Sequence, residues 1–138
     1  MFYAVAYIAI LLPFGLLDAV WLSLMGPRFY RPVLGDILLP GVNVMPAVAF
    51  YLIYPIGILV FATLPALKAG SVSTALMYGS LFGALAYATY DLTNHATLRN
   101  WTLSLTLTDM AWGAFASGVA AVAAYYLTRT SSSWLGLG

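Results

Sequence analysis

The chain has 138 residues, 63% of them hydrophobic and 7% charged, with a formal net charge of +1. Soluble domains carry about 25% charged residues, and a core this small has no room for so much apolar surface, so a water-soluble globular fold is excluded. The small net charge, without any basic run, argues against nucleic acid as a partner; the lack of cysteine excludes disulfides, thiolate nucleophiles and cysteine-held metal centres.

Apolar runs at 3–25, 44–67, 72–90 and 104–127 each approach the roughly 20 helical residues that cross a bilayer. The expectation is an all-α polytopic membrane protein: one four-helix transmembrane bundle over residues 1–130, followed by a flexible tail at 131–138. The first run lacks a basic leader and ends Leu24-Met25-Gly26-Pro27, a poor cleavage site, so it reads as a retained span and not a signal peptide. Pro13 and Pro55 fall inside spans and should kink them, whereas Pro46 suits a first helical turn.

In the first loop Phe29, Tyr30, Val33, Leu34, Ile37 and Leu38 recur at helical spacing. They predict a short amphipathic helix lying in the membrane interface. The third span carries Gly79-x-x-x-Gly83, and the fourth carries Gly113, Ala116, Ala120 and Ala124. Such small-residue stripes let helix backbones approach closely, here as packing within one bundle or, alternatively, as a homodimer face through Gly79 and Gly83. Trp101–Thr108 alternates polar and apolar residues and reads as the interfacial entry to the fourth span.

Threading four spans puts the first and third loops on one side of the membrane. Asp18, Asn43, Asp91, Asn94, His95, Asp109 and Trp112 all fall toward that side. Three of the four carboxylates, Asp18, Asp91 and Asp109, sit in or beside apolar runs. A carboxylate at mid-bilayer costs roughly 2.5–3.5 kcal/mol on insertion scales, so it needs a partner, a cavity or a task. Asp18 is the deepest, about 10 Å inside its helix end at about 1.5 Å per residue. Tyr87, Tyr90, Asp91, Asn94 and His95 share one helix face; Asp109 and Trp112 share another; Asp18 and Trp21 share a third.

These residues form the candidate ligand site: Asp18, Trp21, Asn43, Tyr87, Tyr90, Asp91, Asn94, Asp109 and Trp112. Asp18, Asp91 and Asp109 are the candidates for acid–base chemistry, because a carboxyl of perturbed pKa transfers protons. The structural alternative is that Asp91 with Asn94 caps loop backbone, Asp109 starts a helix, and Asp18 pairs with Arg28, Arg31, Arg99 or a tyrosine hydroxyl. Tyr3, Tyr30, Tyr51, Tyr54, Trp101, Tyr125 and Tyr126 suit interfacial aromatic belts. His95 is the one histidine and forms no paired ligand motif, so no metal and no cofactor are expected. Three arginines in loops one and three, Arg28, Arg31 and Arg99, face Lys68 and Arg129 on the other side, which turns the cluster toward the cytoplasm.

The stretch Tyr87-Ala-Thr-Tyr-Asp-Leu-Thr-Asn94, with Ala96-Thr-Leu98, Trp101 and Asp109-Met-Ala-Trp-Gly113, resembles a family of small bacterial membrane proteins catalogued as a domain of unknown function. Leu17-Asp-Ala-Val-Trp-Leu22, Phe29-Tyr-Arg31, Asn43, Pro46-Ala47 and Phe50-Tyr51 fit the same pattern, so the resemblance covers nearly the whole chain. It implies a four-helix protein of the bacterial inner membrane and no particular activity. The family's recurring polar positions match Asp18, Asn43, Asp91, Asn94, Asp109 and Trp112; His95 stands where relatives often carry an apolar residue.

The favoured reading is a one-sided site that binds or acts on a membrane lipid or other apolar small molecule. The alternatives are an accessory subunit held by a membrane-protein partner, and a small proton-coupled transporter, the latter by analogy alone.

Overall fold

The computed structural model describes residues 1–134 and 136. Among the described residues it contains no strand. Helix α1 (Phe2–Met25) runs through a wide π turn into α2 (Arg31–Leu34) and a final 3-10 turn, Gly35–Ile37. Helices α3 (Val44–Ile58) and α4 (Leu64–Ala69) are joined by a second π turn, Leu59–Thr63, into one rod. Helices α5 (Val72–Thr97) and α6 (Leu103–Trp134) follow. The rods beginning at Phe2, Val44 and Leu103 are long and apolar enough to cross a membrane. With 26 residues α5 has the length too, although its hydroxyl, amide and carboxyl side chains lower its hydropathy. It lies antiparallel to α6, with Gly79 against Ala121 and Gly83 against Ser117.

Both later helices outrun their expected ends. Helix α5 continues past Tyr90 to Thr97 because its threonines turn their hydroxyls back onto the helix: Thr89 donates to the Leu85 carbonyl at 2.9 Å, Thr93 to that of Thr89, and Thr97 to that of Thr93 at 2.9 Å. A threonine that satisfies itself this way is tolerated in a helix. Helix α6 runs through Ser131–Trp134, where Thr128 and Ser132 are buried and Arg129 donates to the Tyr125 hydroxyl at 2.7 Å while lying over its ring. Of the expected flexible tail, Leu135, Leu137 and Gly138 lie outside the described residues.

Caps fix the turns. Gly70 ends α4 at φ 66°, the left-handed region that glycine enters without steric penalty, and Ser71 then accepts the Thr74 N–H to start α5. Gly35, at φ 54°, ends α2 and folds the chain back. The Thr102 hydroxyl accepts the Leu105 N–H at 3.1 Å and opens α6.

The packing is that of a membrane bundle. Small residues meet inside: Ala6, Ala9, Ala116, Ala120, Ala121 and Ala124 are buried, with Ile10, Phe14 and Ile58 among them. Large apolar side chains such as Leu12, Leu16, Ile53, Phe61, Leu81 and Phe115 point outward. Close backbone approach, rather than a hydrophobic driving force, holds such helices together. The Gly79/Gly83 face, open in sequence to a second copy, is buried against α6 of the same chain. The first loop is helical from Gly26 to Ile37 as a continuation of α1, and packs Leu34 against Trp101 and Leu105, closing one end of the bundle.

Candidate functional site

At the end closed by that loop, α1, α3, α5 and α6 bring the three sequence-distant carboxylates into one region. Asp18 is nearly buried on α1, with 6% of its surface exposed. The Tyr51 hydroxyl of α3 donates to its Oδ2, and the Trp112 indole N–H of α6 donates to its Oδ1 at 3.0 Å. The ring of Trp112 stacks on that of Trp21, one helical turn beyond Asp18. Trp21 in turn donates to the Tyr30 hydroxyl at 3.0 Å, and Tyr30 donates to Oδ1 of Asp109 at 2.5 Å. Two carboxylates on different helices are thus joined through a phenol and a pair of stacked indoles.

Asp91 is the third. It is fully buried and its carboxyl faces that of Asp109 within hydrogen-bonding reach; no other group partners either of its oxygens. Buried polar atoms are paired in the great majority of cases, so this carboxyl depends on Asp109, or on a molecule held beside it, for its partner. Each hydrogen bond that Asp18 and Asp109 accept among the described residues comes from a neutral phenol or indole donor. Of the partners offered for Asp18, the tyrosine hydroxyl is the one present, while Arg28, Arg31 and Arg99 are all exposed.

Beside this network lies a cavity of about 920 Å³. Asp18, Trp21, Tyr87, Tyr90, Asp109 and Trp112 line it, as do Tyr30, Phe50, Tyr54, Ala86 and Trp101. Leu34 and Leu38 of the closing loop form its roof, and the exposed Leu39 and Val42 edge its mouth. Six of the nine candidate residues therefore line one space, and Asp91 backs it behind Asp109. Asn43 and Asn94 do not line it: Asn43 is exposed at the start of α3 and Asn94 sits half-buried on α5. His95 is also outside the lining, and among the described residues no three acidic, histidine or cysteine side chains gather as a metal's ligand set would.

Several aromatic residues assigned to interfacial belts have other positions. Tyr30 and Tyr51 are the carboxylate donors, Tyr54 bonds Ser117 at 2.7 Å in the core, Tyr125 is buried, and Trp101 is buried with its indole N–H on Thr106 at 3.0 Å. A belt residue and a buried donor look alike in sequence, since both pair an apolar ring with one polar atom. The one usable signal was number: three carboxylates in apolar runs with no cation beside them in sequence need donors from elsewhere, and tyrosine is among the most abundant.

Fold and site together define a multi-pass helical membrane protein whose helices enclose an aromatic-walled cavity with carboxylates at one end. The chain belongs to the family described as a predicted membrane protein, DUF2177, whose model matches residues 3–126. No curated protein and no solved structure matches it.

Proposed function

We propose that this protein binds, and exposes to its carboxylates, a lipid or other apolar small molecule at one edge of the bilayer, in the bacterial inner membrane that the resemblance implies. The cavity carries this reading. At about 920 Å³ it falls in the range of about 300–1,000 Å³ typical of small-molecule sites, and its apolar walls with a few convergent polar groups are the usual composition of such sites. A cluster that served only to rivet the bundle would be packed on all sides, yet Asp18 and Asp109 border open space. All the carboxylates of the cluster stand at one end of the bundle, an arrangement that favours a fixed site over a transport path.

The test is native mass spectrometry of the protein released from lipid discs, comparing the wild type with Ala86→Phe, which fills the cavity from α5, and with Leu38→Trp, which fills it from the roof. The wild type should carry a bound amphiphile, and at least one folded, filled variant should lose it. Equal retention by both variants would mean that the molecule sits elsewhere and would overturn the proposal.

A further inference from the structure

Resting on the cavity reading above, we infer that the occupant is an amphiphile with a cationic head, a protonated amine, seated at Asp109 with its apolar tail along the aromatic walls. Asp18, Asp91 and Asp109 are buried within one end of the bundle. Asp18 has both oxygens engaged by neutral donors, whereas Asp109 has a donor on Oδ1, from Tyr30. Asp91, fully buried, faces Asp109 within hydrogen-bonding reach and has no other partner.

Facing carboxyls can share one proton, but the pair so formed still carries a negative charge, and burial removes the water that would stabilise it, so it calls for a positive charge. The chain does not provide one inside: Arg28, Arg31, Lys68, Arg99 and Arg129 are all exposed, and of these only Arg31 borders the cavity. A cation from outside the chain answers this demand. A bare metal ion would leave the apolar walls unused, and no ligand set for one is assembled among the described residues. An alkylammonium uses both parts of the site: its N–H groups donate to Asp109, and its charge lies among the rings of Trp21, Tyr87, Tyr90 and Trp112, whose faces attract cations. An anionic head would meet carboxylates instead.

Three of the four tryptophans line the cavity, so indole fluorescence reports its occupancy. The protein in phosphatidylcholine discs at neutral pH is titrated with dodecylamine, dodecanol and dodecyl sulfate, each counted as its mole fraction in the disc. Dodecylamine should bind at least about tenfold more tightly than dodecanol, equivalent to about 1.4 kcal/mol, with dodecyl sulfate weakest. Asp109→Asn and Asp91→Asn should each shrink the amine-over-alcohol preference several-fold. That ratio is taken within one variant, so a general loss of stability leaves it unmoved. Equal binding of all three probes, or preference for the sulfate, overturns the cationic head and leaves the cavity reading intact. Binding of none of them removes the cavity reading, and this inference with it.

Discussion

The indole rings of Trp21 and Trp112 stack with centroids 4.3 Å apart and planes 6° from parallel. Each sends its N–H to a different partner, Trp112 to Asp18 and Trp21 to Tyr30, so the stack ties α1 to α6 and lies between two carboxylates. An aromatic pair of this kind contributes about 0.5–1.5 kcal/mol beyond its burial. Trp21→Leu and Trp112→Leu should each lower the unfolding free energy in mild detergent by at least that much, and the double variant by less than their sum, whereas Trp134→Leu, on an exposed residue near the chain's end, should leave it unchanged.

Tyr30→Phe leaves Oδ1 of Asp109 without its donor and the Trp21 N–H without its acceptor. Removing one partner of a buried hydrogen bond costs about 1–3 kcal/mol. Unfolding in mild detergent should show a loss of that size. In the Asp109→Asn background the same substitution should cost less, because the charged acceptor has gone. Additive losses would mean that the two residues act independently.

The α5–α6 seam tolerates no added atom. A Cβ at Gly83 would come within 2.6 Å of the Ser117 hydroxyl and closer still to the Gly113 carbonyl, which is backbone and cannot swing away. Gly83→Ala should therefore destabilise the bundle by about 1–3 kcal/mol or more, as overpacking does. At Gly15, on α1, a Cβ meets nothing within 4 Å. Gly15→Ala should be neutral or mildly stabilising in the same thermal assay.

Tyr54 and Ser117 share a hydroxyl–hydroxyl bond of 2.7 Å deep between α3 and α6. Inter-helical hydrogen bonds in membranes average about 0.6 kcal/mol by double-mutant cycles, with a maximum of about 1.7. A cycle with Tyr54→Phe and Ser117→Ala should return a coupling in that range. A value near zero would show that the rings around Tyr54, not its hydroxyl, fix α3 here.

Hydropathy made the helical bundle legible, and Gly70-Ser71 marks the break between α4 and α5, whereas Gly26-Pro27, which reads as a stop, stays helical as the π turn that carries α1 into α2. The grouping of Asp18, Asp91 and Asp109 followed from counting loops, since four alternating spans put the first and third loops at one end. The partners stayed hidden. Nothing local to Asp18 points to Tyr51, which is 33 positions away and meets it only through the approach of α1 and α3. Asn43 and Asn94 were grouped with the carboxylates by loop position, but the cavity lining depends on helix rotation, which apolar-all-round helices conceal. The threonines of α5 concealed its true end, because on a hydropathy scale a hydroxyl folded onto its own helix counts the same as one that needs water.

The central claim is that the space between Asp18, Asp109 and the roof at Leu34 and Leu38 is a binding site. The most direct measurement is an experimental structure in native-lipid discs, at a resolution that shows bound molecules. The account predicts elongated density in the cavity, with its polar end at Asp109 and its tail along Trp112 and Tyr87. Side chains closed over that space, with Asp91 and Asp109 satisfied by the protein alone, would contradict it and make the cluster a structural tie.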